Sequence, residues 1–207
     1  MTKRIERYTP VILDGQRVRL ESLDEQHLDG LIATVKDGEL WNIRETLVPH
    51  VEELPTFIAE AKANRVAGVE LPFAVIDKMS GRVVGSTRFF CPELAHQRVE
   101  IGYSFLAQSC QGSGMNLEAK LLMLDYAFDA LHCNRVEFLT DGNNLKSQRA
   151  LEKLGAVQEG LMKYHMVLRN GYVRDSYMYA LYRADWAEKR ALLLENVVTA
   201  LEKNTCN

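Results

Sequence analysis

Polar and apolar residues alternate over residues 17–23, Arg-Val-Arg-Leu-Glu-Ser-Leu, with the period of a half-buried strand. Ser22 and Glu25 then stand at the spacing of a reciprocal helix cap, so a helix is expected to about residue 36, and a second over 51–66. Two strand-like runs, Leu71 to Asp77 and Arg82 to Phe90, flank Lys78-Met-Ser-Gly81, a turn with glycine placed for a hairpin. After the loop containing Pro92, the run Arg98 to Phe105 extends this antiparallel series.

At Met115 the period changes. Leu117, Leu121, Leu124, Phe128 and Leu131 recur at helical spacing, and Leu122, Met123 and Ala127 widen the apolar face, which predicts a largely buried helix from Met115 to Leu131. Arg135 to Thr140 reads as a strand. Asn144 can cap the next helix, which runs to Leu154 and stops at Gly155. Strand, helix, strand and helix in that order predict a right-handed crossover. Two last strands, about 157–168 and 175–183, flank Arg169-Asn-Gly-Tyr172, a hairpin signal. Asp185 and Glu188 repeat the cap spacing ahead of an amphipathic helix to about 203. Its stripe of Trp186, Leu193, Val197 and Leu201 packs either on the domain or on a second subunit, and the second case is a homodimer.

The chain has 207 residues, 47% of them hydrophobic and 26% charged, which suits one globular domain over 1–207 with its core at about 10–185. A net charge of −3 without a long basic block argues against nucleic acid as a partner. The first ten residues are too polar for a signal peptide. No run approaches the roughly 20 apolar residues of a membrane span, so no membrane is expected. Cys91, Cys110, Cys133 and Cys206 lack Cys-x-x-Cys spacing, which indicates neither a zinc site nor a disulfide framework and fits a reducing cytoplasm.

Three features carry candidate chemistry. Gln111-Gly112-Ser113-Gly114-Met115-Asn116 places two glycines at a helix entrance, where bare main-chain N–H groups and the helix dipole hold anions. A dinucleotide fingerprint needs a third glycine where Leu117 stands, and a P-loop needs Gly-Lys-Ser/Thr, so neither nucleotide motif is met. The glycines alone are also compatible with a plain tight turn. Glu100 lies inside a strand between Val99 and Ile101, where a carboxylate is paired with an arginine such as Arg88 or Arg98, or reaches a cleft with a raised pKa. Asn144 and Ser147 stand one turn apart on nearly one face of a helix start, for capping, ligand contact or both. Trp41 is either a packing plug or a wall of a substrate site.

The motif Arg98-Val-Glu-Ile-Gly-Tyr103, then Gln111-Gly-Ser-Gly114, then Asn144-Leu-Lys-Ser-Gln-Arg-Ala-Leu-Glu-Lys-Leu-Gly155 and Gln158-Glu-Gly160, in this order, resembles the GNAT superfamily of N-acetyltransferases, RimJ/RimL-like branch. Ser109 stands where that superfamily's phosphate loop usually begins with Gln or Arg. The resemblance implies an α/β (α+β) fold with a central mixed, mostly antiparallel sheet of six to seven strands flanked by helices and splayed between the fourth and fifth. It implies acetyl-CoA as cosubstrate, no metal, and a primary amine as acceptor, such as a protein N-terminus, an amino acid or a small amine. Phe105, Leu106 and Ala107 are then expected along the pantetheine arm and Gln111 to Asn116 around the pyrophosphate, with Asn144 on the arm. Ser147 is expected to protonate the departing sulfur, and Glu100 to take the amine proton directly or through water. Trp41, Glu45, Tyr103 and Asp175 are the acceptor-side candidates. A noncatalytic acyl-CoA-binding protein of the same fold is the alternative.

Overall fold

The computed structural model describes residues 10–205, so Cys206 lies outside the described residues. Eight strands form one sheet: β1 (Leu13–Asp14), β2 (Val18–Ser22), β3 (Glu70–Asp77), β4 (Arg82–Glu93), β5 (Arg98–Leu106), β6 (Arg135–Asp141), β7 (Val157–Val167) and β8 (Val173–Tyr182). Their spatial order is β1-β2-β3-β4-β5-β6-β8-β7. Every neighbouring pair is antiparallel except β5 and β6, the ends of the crossover. The count exceeds the six to seven expected because β1 has only two residues, too short to show alternation. The fourth and fifth expected strands are therefore β5 and β6.

Helices α1 (Leu28–Lys36) and α2 (Leu54–Ala67) cover one face of the sheet. There Leu31, Val35, Leu54 and Ile58 pack on Ala74 and Ile76 of β3. Helices α3 (Met115–Asp125) and α5 (Arg183–Thr205) cover the other face, over Phe73, Phe89, Val99 and Ile101; α4 (Leu145–Lys153) follows β6. Consecutive residues of a strand thus serve opposite cores, as the pleat requires.

Several expected boundaries move. β4 runs on to Glu93 and takes in Pro92, expected in a loop, and β8 starts at Val173. Ser22 ends β2, and Asp24 is the cap: its carboxylate accepts from the Glu25 amide at 2.8 Å and shares a reciprocal cap with His27. Asp185 sits inside the first turn of α5, since that helix continues straight from β8 and Arg183 donates its amide to Asn134 O at 2.9 Å. The long third helix widens after Asp125 into a π turn, Tyr126–Ala130, with Leu131 donating five residues back to Tyr126 O at 3.0 Å. Trp186, Leu193, Val197 and Leu201 are buried in the core of their own chain. Among the described residues no helix is long and apolar enough to cross a membrane.

Candidate active site

Strand β5 is paired on both sides for only three rungs. It meets β6 at Arg98↔Arg135, Val99↔Val136 and Glu100↔Glu137, and then the two part. β6 continues along β8 to Asp141↔Ser176, while β5 follows β4 to Leu106↔Gly85. Beyond Glu100, the side of β5 facing β6 has no strand partner, and the splay opens there.

A bulge turns β5 away. Gly102 pairs with Arg88 and Phe105 with Ser86, so two residues of β5, Tyr103 and Ser104, oppose one of β4. Tyr103 is left-handed at φ 50°, a conformation that costs about 1–3 kcal/mol and persists only where its surroundings over-determine it. Two buried cations do so from opposite faces. The Arg88 guanidinium lies 4.4 Å from the Tyr103 ring centre and 4.6 Å from that of Phe57, and bonds Glu70 at 2.6 Å. Behind the sheet, Lys120 Nζ donates to Ser104 Oγ at 2.6 Å and to Thr87 Oγ1 at 3.1 Å. Burial pushes the Lys120 amine down to about 7.

Glu100 sits at the apex of the splay, 8% exposed. Neither expected arginine pairs with it: Arg88 is held by Glu70, and Arg98 donates to Glu137 at 2.8 Å. Glu137 also takes Arg135 at 2.6 Å. No described residue hydrogen-bonds or ion-pairs with Glu100. Loss of hydration raises its pKa to about 7, the neighbouring Glu137 carboxylate adds to the rise, and Arg174 and Arg98 oppose it.

The loop from Ala107 to α3 is laid out for main-chain contact. Gln111 Nε2 donates to Leu106 O at 3.0 Å, and Ser113 Oγ to Cys110 O at 2.6 Å. No described residue accepts from the amides of Gly112, Ser113 or Gly114, and the amides of Met115 and Asn116 belong to the open first turn of α3. The two glycines serve different ends. Both have positive φ, 78° and 88°, but a side chain at Gly112 would enter open space whereas one at Gly114 would lie 3.0 Å from the Ala200 methyl of α5. Ser109 gives its hydroxyl to Asp37 at 2.5 Å. Asn144 caps α4, accepting from the Ser147 amide at 2.9 Å. The Ser147 hydroxyl has no described partner, and both residues are half-buried. An anion with a flexible tail fits this loop: donors are free, space is open at Gly112, and Lys146 reaches over to Gln111.

The acceptor-side candidates divide. Trp41 lies tilted against His50, ring centres 4.7 Å apart, and packs against the α1–α2 core. Tyr103 is 42% exposed at the bulge, on the Glu100 face. Glu45 is half-buried in the loop after Trp41. Asp175 is not brought to Glu100: its carboxylate accepts from the Tyr164 amide at 2.8 Å and from Lys163 at 2.7 Å. The loop around residue 44 does meet the β7–β8 hairpin, with Arg44 4.5 Å over the Tyr172 ring and Arg169 on Glu53 at 2.5 Å. Sequence reading singled out neither Lys120 nor Asp141, and reached Tyr172 and Arg174 only as part of the loop around Arg169 to Asp175, expected to form the acceptor pocket with the first two helices. Lys120 carried a legible signal, since it interrupts the buried stripe between Leu117 and Leu124, as Glu100 interrupts its strand.

A family model for the acetyltransferase (GNAT) domain matches residues 17–157. The chain belongs to the GNAT acetyltransferase family. This membership implies acetyl transfer from acetyl-CoA. The uncharacterized N-acetyltransferase p20 of Bacillus licheniformis is 31% identical over 128 residues, 62% of this chain and 67% of that relative. A GCN5-related N-acetyltransferase from Brucella melitensis superposes with a TM-score of 0.80 at 27% identity, over 93% of this chain and 90% of that one. RimJ of Mycobacterium smegmatis, solved with CoA-disulfide, shares the fold with a TM-score of 0.75 at 21% identity, over 90% and 92% of the two chains. Among the described GNAT residues, no group of three or more His, Cys, Asp and Glu is placed to hold a metal.

Proposed function

We propose that the protein acetylates a primary amine by direct attack in a ternary complex, with Glu100 accepting the amine proton and Ser147 donating one to the departing sulfur. Bound acetyl-CoA supplies the activated acyl thioester, whose C–S bond breaks as the new C–N bond forms. The observation that carries this reading is the splay itself: β5 and β6 part just past Glu100, and that carboxylate is buried, unpaired and raised to about 7. A base is most useful when its pKa lies near the working pH, because it is then both ionised and strong enough to take the proton.

The remaining residues follow from position. The amides from Gly112 to Asn116, all but that of Met115 without a side-chain acceptor, hold the pyrophosphate by main-chain contact and the α3 dipole, so the departure at Ser109 costs nothing there. The edge of Phe105, Leu106 and Ala107 without a strand partner on the β6 side lines the arm in the splay, although Leu106 O already accepts from Gln111 Nε2 and the Ala107 amide donates to Val84 O. Asn144 spends its carbonyl oxygen on the cap and keeps its amide nitrogen for the arm. The Ser147 hydroxyl, free of other bonds, stays available as a donor. Holding both substrates at attack distance supplies much of the rate.

Thiol release from acetyl-CoA, measured against protein N-terminal peptides, amino acids and small amines, tests the reading. Release with at least one amine class is expected, and acetyl-CoA affinity without any release would reduce the protein to a binder. Gly112→Val places a side chain in the open space of the cradle and should weaken acetyl-CoA about tenfold or more in a titration while the protein still folds. Unchanged affinity would refute the cradle.

A further inference from the structure

One face of the sheet carries the candidate base. Val99 and Ile101 point into the α3 core, so Glu100 points the other way. The registers Glu100↔Glu137, Glu137↔Ala180 and Asp141↔Ser176 keep that face continuous across β6 and β8, and the alternation of β8 adds Arg174 to it.

Arg174 stands apart from the other arginines. Those withdrawn from water, among them Arg17, Arg65, Arg88 and Arg135, each have a carboxylate partner. Arg174 is half-buried and has neither a hydrogen bond nor an ion pair with a described residue, and its Nε is sealed from water without an acceptor. A buried donor left in that state is unfavourable. No carboxylate forms an ion pair with it. Asp141 accepts at Oδ1 from the Asn143 amide at 2.7 Å and the Tyr172 hydroxyl at 3.1 Å, its Oδ2 is sealed from water without a partner, and both Asp141 and Glu100 act on Arg174 only through their fields. Tyr172 carries a second arginine, Arg44, over its ring, also without a carboxylate among the described residues. The expected acidic anchor, Asp175, is consumed by Lys163. Two arginines without a carboxylate partner, Arg174 and Arg44, thus stand at the acceptor end, with Asp141 the negative charge among them.

We propose that Arg174 is the anion-binding end of the acceptor pocket, so that the amine acetylated here carries a carboxylate close to its nitrogen. The inference rests on the acetyl-transfer reading above and narrows its acceptor. A guanidinium fork matches a carboxylate in two parallel bonds, and such charge-assisted pairs are roughly twice as strong as neutral ones. Asp141 beside it disfavours a doubly charged phosphate. The carboxylate comes either from the α-carboxyl of a free amino acid or from an acidic side chain near a peptide N-terminus.

Paired acceptors separate these sources. The first pair set is glycine and β-alanine against their carboxamides, and the second is a tripeptide with glutamate at its second position against one with glutamine. kcat/KM from thiol release is compared for wild type, Arg174→Gln and Arg174→Lys, with thermal melts checking that each variant folds. In wild type, the carboxylate member of one pair set should exceed its neutral partner about tenfold or more. Arg174→Gln should bring that ratio close to one, and Arg174→Lys should fall between. Equal kcat/KM within both pair sets in wild type overturns the inference even if a variant fails to fold, and so does a ratio unchanged in Arg174→Gln. If no acceptor releases thiol, the acetyl-transfer reading falls too, and the inference with it.

Discussion

Glu100 and Glu137 are the same residue on neighbouring parallel strands, level with each other at the last rung before the splay. They are almost equally buried, 8% and 7% exposed. Glu137 is clamped by Arg98 and Arg135, the pairing that a strand carboxylate usually finds. Glu100 has no such clamp and is raised to about 7. Residue type and burial are shared, so neither makes a base. The difference is that one carboxylate closes a network of arginines while the other looks into a gap that the bulge opens.

The strongest way to break this contrast is Glu100→Gln, which keeps the shape and removes the proton acceptor. kcat near neutral pH should fall roughly a hundredfold or more, with acetyl-CoA affinity kept. A fall in affinity of similar size would make Glu100 a structural residue of the cofactor groove.

The contrast is also visible in stability. Glu100 binds a proton more tightly folded, at about 7, than unfolded, near 4.5. Its contribution is therefore fully present below 4.5 and is lost as pH rises toward 7, by up to roughly 3 kcal/mol. Glu100→Gln has no such titration, so its melting temperature relative to wild type should climb over that window. A constant offset would mean an ordinary carboxylate.

A smaller effect comes from the other partner. Glu137→Gln removes a like charge and frees Arg98, and both changes favour ionised Glu100. The acid limb of the kcat/KM profile should move to lower pH. Movement to higher pH would show that Glu137 does not raise Glu100.

Much of this was legible in the sequence. Alternation located β2, strand-like runs and turn signals located β3 to β8, helical spacing located α3 and α5, and Gly155 stopped α4 as its φ of 76° requires. Glu100 was marked as an anomaly because a charged residue sat between two core positions. What the one-dimensional pattern could not show was competition for partners. Arg88 and Arg98 were both plausible mates for Glu100, and only the register shows Glu70 and Glu137 taking them. The partners of Asp175 were hidden for the same reason, since Lys163 and the Tyr164 amide reach it across a bulge no spacing reveals. Gly112 and Gly114 looked alike as a pair, yet one faces open space and the other the Ala200 methyl, a contact 86 residues away in sequence.

The central claim, a carboxylate poised by its gap, is tested most directly by titrating the Glu100 side chain itself. With carbon-13 in the glutamate side-chain carboxyl and Glu100→Gln to assign the signal, the resonance should titrate with a midpoint near 7 in the free protein. A midpoint near 4.5, the ordinary carboxylate value, would contradict the account.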